Sequence, residues 1–178
     1  MPISQEYDKM FCVAGKKWNI KKLLLKAVAI TESSLDPRAY RFEPLFWDRY
    51  MSGKPEWADK DPKVVSASHG LMQLMWPTAV GLGFDGTVDD LCDPMINIML
   101  GAKLIRQLID RATKQRLCDQ FYWLAPLHVA ICRYNGGSFK NPDEAGVLRQ
   151  QKYLRKVMKQ WGELRKIEAE CTDAEGDS

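Results

Sequence analysis

The 178-residue chain lacks the cysteine and histidine spacings that build structural zinc sites or disulfide frameworks. Its five cysteines are scattered, no two form a Cys-x-x-Cys pair, and it has only two histidines. No run approaches the ~20 apolar residues of a membrane-spanning helix. Glu6, Asp8 and Lys9 stand where a secretory leader would carry its apolar core. We therefore expect synthesis in the cytoplasm without a signal peptide, and free thiols.

What the chain does contain is typical of a globular protein. Hydrophobic residues make up 46% of it and charged residues 28%, with a formal net charge of +3. Domains usually run ~100–200 residues, and no Gly/Ser linker divides this chain. We predict a single domain over residues 1–178, and a monomer. The small positive charge hints at an anionic partner but does not indicate nucleic acid.

Apolar residues at helical spacing predict a mainly α fold with little or no β-sheet. The first helix is expected from Asn19, as its N-cap, to Ser34. Asp93-Pro94 reads as the start of a second helix that runs to about Ala112. Further helices are predicted over Phe121–Tyr134, before the breaker Asn135-Gly136-Gly137, and from Pro142 or Asp143 to about Lys166.

Two segments depart from this helical pattern. Residues 38–68 contain three prolines and many aromatics, and predict an inserted loop region of a kind that often binds ligands. The last helix, 143–166, is basic and amphipathic, and the acidic tail 167–178 is expected to fray. The basic helix alone favours a solvated face over nucleic-acid binding. Its other use would be electrostatic contact with an anionic wall or outer-membrane surface.

Glu32 is the residue that fits its surroundings least. It lies four residues after Val28, near the apolar stripe and the C-terminal end of the first predicted helix. Burial and the negative end of the helix dipole both raise the pKa of a carboxyl group there. A carboxylic acid kept protonated near neutral pH is what glycoside cleavage requires. The alternative from spacing alone is an outward Glu32, or one in a salt bridge with Arg38 or Lys103.

Three short motifs occur in order along the chain. They are Glu32-Ser33 within AVAITESSLDPRAY, then SHGLMQLMWPTA at 68–79, then ICRYNGG at 131–137. They resemble the E-S, G-L-M-Q and A-Y-N-x-G motifs of the SLT-type (family 1) lytic transglycosylases, over about residues 20 to 160. The resemblance implies a lysozyme-like helical domain that cleaves peptidoglycan, without a metal or other cofactor.

The resemblance also implies roles for individual residues. Glu32 would be the single catalytic acid/base, protonating the bond between N-acetylmuramic acid and N-acetylglucosamine and yielding 1,6-anhydro ends. The other predicted site residues would bind or face the glycan: Ser33, Met72, Gln73, Tyr134, Asn135 and Tyr153. Each also has a structural alternative, such as core filling by Met72 or helix capping by Asn135.

The chain departs from the family pattern at three places. Met75-Trp76-Pro77-Thr78-Ala79 stands where the family usually reads M-P-x-T-A, Arg133 replaces the alanine of A-Y-N-x-G, and residues 38–68 are longer than a minimal domain needs. That insertion leaves open a hydrolytic muramidase, with a second carboxylate from Glu43, Asp48 or Asp61. A non-catalytic glycan-binding or virion structural domain is a further alternative. The expected setting is a phage endolysin or virion-associated enzyme that reaches the host envelope after release or delivery.

Overall fold

The computed structural model describes residues 4–114, 125–136 and 144–176, with side chains of the last segment described for 145–169. Its helices are α1 (Asp8–Trp18), α2 (Lys22–Ser33), α3 (Pro44–Phe46), α4 (Pro62–Val65), α5 (Trp76–Gly81), α6 (Val88–Leu91), α7 (Pro94–Lys114), α8 (Pro126–Gly136) and α9 (Glu144–Gly176). A π-helical turn covers Trp47–Met51 and a 3-10 turn covers Pro55–Trp57. The predicted mainly helical, lysozyme-like fold class is confirmed.

A small antiparallel sheet accompanies the helices. Its strands are β1 (Tyr40–Phe42), β2 (Ala67–His69) and β3 (Leu74–Met75), in the order β1-β2-β3. Tyr40 pairs with His69 across the first ladder, and Ser68 pairs with Met75 across the second. The sheet therefore closes residues 38–68 at their base, where the sequence predicted a loop region.

The core surrounds α2, whose residues from Leu24 to Ala29 are all buried. Helices α1, α7, α8 and α9 supply its other large buried side chains, which include Phe11, Ile98, Ile105, Ile131 and Val157. Lys26 belongs to the buried stretch, and its ammonium pairs with Asp8 at 2.6 Å. A central helix covered on several sides in this way is apolar around most of its circumference.

The predicted N-cap at Asn19 is wrong. Asn19 has φ 51° and closes the preceding helix α1 as its C-cap, with its amide donating to the carbonyl of Gly15. α2 then begins at Lys22, after the extended residue Lys21. Asparagine suits both kinds of cap, since it tolerates the left-handed region that ends many helices. The sequence reading missed α1 and so assigned Asn19 to the wrong helix.

The helix start at Asp93-Pro94 agrees with the structure. The Asp93 carboxylate accepts a hydrogen bond from the amide of Ile96 at 2.9 Å, and α7 begins at Pro94. α7 continues through Lys114, beyond the expected end at Ala112. The predicted helix starts at Phe121 and at Pro142 or Asp143 fall outside the described residues.

The last helix is longer than the sequence predicted. α9 runs on to Gly176, where the expected end was Lys166 and a frayed tail was expected beyond it. Lys22 of α2 pairs with Glu168 of this extension at 2.7 Å. The basic side chains predicted on the outer face are exposed, among them Lys152, Arg155, Lys156 and Lys159. No helix within the described residues is long and apolar enough to span a bilayer.

Candidate active site

The last turn of α2 presents Glu32 to a cavity. Its Oε1 atom accepts a hydrogen bond from the Tyr153 hydroxyl at 2.6 Å. Tyr153 lies on α9, which packs against α2, and its side chain is only 7% exposed. The salt bridges considered from the sequence are absent, because Lys103 donates to the carbonyl of Leu82 and Arg38 makes no ion pair within the described residues.

The environment of Glu32 favours its protonated form. Burial raises the pKa of this carboxyl group above its usual value. The hydrogen bond from Tyr153 and the positive charge of Arg41 act in the opposite direction and moderate the increase. Burial also raises the pKa values of Tyr134 and Tyr153, with Glu32 adding to both shifts, so both phenols stay protonated. The site thus combines one carboxyl group, whose pKa depends on its surroundings, with two phenol hydroxyls that stay protonated.

The turn from Gly70 to Gln73 brings Gln73 to the cavity, and α2 and α8 hold this turn in place. The Ser33 hydroxyl lies 2.8 Å from the carbonyl oxygen of Leu71 and 3.1 Å from that of Ala29. The Tyr134 hydroxyl donates to the carbonyl of Met72 at 2.7 Å. Residues from all three sequence motifs therefore meet at this turn.

Asn97 of α7 holds the same turn from behind. Its fully buried side chain accepts from the Met72 amide at 2.7 Å, and donates to the carbonyls of His69 at 3.0 Å and Leu91 at 2.9 Å. Gly70 makes this approach possible, because a Cβ atom there would lie 2.6 Å from the Asn97 amide nitrogen. Gly70 also has φ +72°, which favours glycine.

Gln73 completes the turn with an unusual backbone. Its φ is 48°, in the left-handed region that non-glycine residues rarely adopt. Its side-chain amide nitrogen donates to the carbonyls of Ala39 at 3.0 Å and Gly70 at 3.1 Å. These bonds fix the side chain and leave its oxygen as an acceptor at the cavity surface. Such a strained position next to an acid is common at functional sites.

The cavity has a volume of about 790 Å³ and contains four of the seven predicted site residues: Glu32, Gln73, Tyr134 and Asn135. Residues of the 38–68 insertion also line it, and they include Arg41 and Glu43, which form an ion pair at 2.7 Å. Glu43 was a candidate second carboxylate from the sequence, whereas Arg41 was not singled out. Asp48 and Asp61 do not line the cavity.

The other three predicted residues lie behind the cavity surface. Met72 is a correction, because its side chain is fully buried against Gly101 of α7 and only its backbone carbonyl serves the site. Ser33 uses its hydroxyl on backbone carbonyls, and Tyr153 uses its own on Glu32. These groups position the site in the free protein, and substrate contact by Ser33 and Tyr153 stays a prediction.

Comparison with known protein families identifies the family of this chain. The family model described as "Transglycosylase SLT domain" matches residues 9–152, most of the chain. The chain belongs to the SLT transglycosylase family. The SLT family acts on peptidoglycan. A search of curated proteins finds no match. The matched range contains all three motifs and the 38–68 insertion and ends one residue before Tyr153.

Removing the Tyr153 hydroxyl should change the pH dependence of this SLT domain. Tyr153→Phe deletes a hydrogen bond that lowers the pKa of Glu32, while burial continues to raise it. The carboxyl pKa should therefore increase, so that the protonated acid persists to higher pH and the alkaline limb of the pH–activity profile moves upward. The measurement is the rate of wall clearing between pH 4 and pH 9.

Tyr40→Phe is the matched control for this experiment. The Tyr40 hydroxyl donates to the carbonyl of Lys63 at 2.9 Å, in an exposed position outside the cavity. Its removal should leave the pH profile unchanged. An alkaline limb that stays in place in Tyr153→Phe would show that the hydrogen bond to Glu32 does not tune the acid.

Proposed function

We propose that the protein is a peptidoglycan lytic transglycosylase that cleaves the β-1,4 bond between N-acetylmuramic acid and N-acetylglucosamine. The observation that carries the proposal is Glu32, a half-buried carboxyl with a raised pKa, held by Tyr153 at the surface of a large cavity. Membership of the SLT family supports the choice of substrate. Since peptidoglycan lies outside the cytoplasmic membrane, the protein would act there.

The proposed reaction uses one carboxyl group twice. Protonated Glu32 donates its proton to the glycosidic oxygen as the bond to the muramic C1 atom breaks, which leaves an oxocarbenium-like sugar. The 6-hydroxyl of the same sugar then attacks C1, and its proton returns to the Glu32 carboxylate. The product is a 1,6-anhydro ring, and the acid is regenerated. A single carboxyl suffices because the nucleophile is intramolecular and has a high effective concentration.

The residues around Glu32 suit the two halves of this cycle. The Tyr153 hydrogen bond and the Arg41 charge stabilise the carboxylate that exists between the two proton transfers. Burial stabilises the acid that begins the cycle. The amide oxygen of Gln73 and the side-chain amide of Asn135 are offered to the hydroxyl and N-acetyl groups of a glycan at the cavity surface. We propose that these two residues bind substrate directly.

A muramidase remains the second candidate, because Glu43 lines the same cavity as Glu32. A hydrolase would need this second carboxylate ~5–9.5 Å from the acid, to act as nucleophile or to activate water. Glu43 is already paired with Arg41 at 2.7 Å, which favours its ionised form but also occupies one of its oxygens. This pairing supports a role in the cavity wall over one in the reaction.

Mass spectrometry of digested peptidoglycan separates the two candidates. The transglycosylase should release fragments that end in 1,6-anhydro-muramic acid, each 18 Da lighter than the hydrolytic product since no water is added, as follows from an intramolecular nucleophile. Digestion in heavy-oxygen water supplies a control, because only hydrolysis incorporates the label. Labelled reducing ends would contradict the transglycosylase and favour the muramidase.

A further inference from the structure

One part of the cavity wall, the insertion wall, comes from the 38–68 insertion. Its seven lining residues are Arg41, Glu43, Phe46, Tyr50, Met51, Lys54 and Ser68. The motif residues that line the cavity are Glu32, Gln73, Tyr134 and Asn135. The insertion adds a second, chemically different surface to the same cavity, with two cations and two aromatic rings. Its function is therefore a separate question from the cleavage of the glycosidic bond.

Buried side chains anchor this wall to the rest of the domain. Met51, Trp57 and Val65 form a small buried cluster, against which Phe46 and Trp76 pack. The rings of Trp57 and Trp76 meet edge to face with centroids 5.4 Å apart, which joins the insertion to α5. The amide of Glu43 also donates to the carbonyl of Ser66 at 2.7 Å. A surface supported in this way can present side chains in fixed positions.

The exposed side chains of the wall carry positive charge beside apolar surface. Lys54 is exposed, and its ammonium makes no ion pair with any described residue, whereas Arg41 is paired with Glu43. The Tyr50 ring is 57% exposed and packs on Phe46 with centroids 5.2 Å apart. When Glu32 is protonated, the described lining holds two positive side chains and one negative. An anionic group with small apolar parts fits this surface.

Peptidoglycan carries such a group next to the bond that is cut. The lactyl ether of each N-acetylmuramic acid bears a short peptide with alanine methyl groups and free carboxylates. We propose that the insertion wall is a subsite for this stem peptide, in which Lys54 binds a peptide carboxylate and Tyr50 packs against the peptide. The inference rests on the proposed function and adds a preference for glycan strands that carry stems.

The cavity volume agrees with an occupant larger than a sugar ring. At about 790 Å³ it lies in the upper part of the ~300–1,000 Å³ range of ligand sites. Arg41 of this wall lines the same cavity as Glu32, and its charge lowers the pKa of Glu32. A stem peptide on the muramic residue beside Glu32 would thus lie within reach of the insertion. Its binding would help to place the scissile bond at the acid.

The test compares two soluble tetrasaccharides of alternating N-acetylglucosamine and N-acetylmuramic acid, one with stem peptides and one without. Mass spectrometry of the products gives kcat/KM for each, and the ratio of the two values reports the subsite. Lys54→Gln should lower this ratio about fivefold, mainly through KM on the stem-bearing substrate, as expected for one charge contact near a surface. Lys54→Arg should restore it.

Lys60→Gln is the matched control, because Lys60 is an exposed lysine of the same insertion that pairs with Asp59 and does not line the cavity. It should leave the ratio unchanged. An unchanged ratio in Lys54→Gln, or a parallel loss on both substrates, would overturn the subsite while leaving the proposed function intact. If the wild type cleaves neither tetrasaccharide, the proposed function fails instead, and calorimetric binding of the two sugars to wild type and Lys54→Gln still decides the subsite.

Discussion

Glu32→Gln is expected to lower the rate of cell-wall clearing by about a thousandfold or more. Glutamine keeps the size of the side chain and can still accept the hydrogen bond from Tyr153, but it has no proton to donate or recover. General acid–base catalysis by one group contributes ~10²–10⁴-fold, and here a single group serves in both directions. The measurement is the turbidity of a wall suspension with matched protein concentrations.

The same substitution should not weaken the fold. The folded-state pKa of Glu32 is raised by burial, so its favourable contribution to stability is complete below the unfolded pKa and is lost as the pH rises through the folded value. Glutamine does not ionise, so it avoids the cost of burying a charged carboxylate at neutral pH. At pH values above the folded pKa of Glu32, the melting temperature of Glu32→Gln should therefore equal or exceed that of the wild type. In acid, this difference should vanish.

Glu163→Gln supplies the matched control. Glu163 is an exposed glutamate of α9, 3.9 Å from Lys159, and lies outside the cavity. Its substitution should change neither clearing nor the melting temperature by much. Clearing by Glu32→Gln at the wild-type rate would contradict the assignment of the acid. It would also revive the alternative of a glycan-binding or structural domain that keeps the fold without the reaction.

The sequence predicted the acid because two independent signals met at one residue. Glu32 interrupts an apolar helical stripe, and it begins the E-S motif. Helical periodicity is local, so the course of α2 and the start of α7 at Pro94 could be predicted from it. The motif order predicted that Glu32, Gln73 and Tyr134 share a site, and all three line one cavity.

The contacts that support the site could not be predicted, because they join distant parts of the chain. The Met72 side chain looked like a sugar contact by its motif, yet it fills the space above Gly101. Arg41 entered no motif, and its proximity to Glu32 depends on the pairing of β1 with β2. Strand pairs of this length leave little periodic signal in the sequence. Asn97 belongs to none of the three motifs, so nothing in the sequence indicated its contacts with the turn.

Asn97→Leu is expected to cause the largest loss of stability of any single change near the site. Leucine has a similar volume but cannot bond the three backbone groups that Asn97 holds: the Met72 amide and the carbonyls of His69 and Leu91. Each unsatisfied group costs ~1–3 kcal/mol, so the free energy of unfolding should fall by roughly 3 kcal/mol or more. At ~2–4 °C per kcal/mol, the thermal midpoint should fall by roughly 6–12 °C.

Thr113→Val provides the control on the same helix, since the exposed Thr113 hydroxyl bonds to the Ile109 carbonyl within α7. It should shift the midpoint by a small fraction of that amount. A midpoint for Asn97→Leu within about 2 °C of the wild type would mean that water or backbone movement replaces the three bonds, and that Asn97 does not anchor the turn.

Asn97→Asp separates the anchor from simple packing. An aspartate can still accept from the Met72 amide, but its carboxylate would face the His69 and Leu91 carbonyl oxygens and repel them. Folding should therefore raise the pKa of this carboxyl above its unfolded value of ~3.9. The contribution of the carboxyl to protein stability is then complete below the unfolded pKa, and it is lost as the pH rises through the folded pKa. Clearing should fall with it, because the Met72 carbonyl that holds the Tyr134 hydroxyl depends on the same turn. A melting temperature that does not vary with pH relative to the wild type would contradict this role.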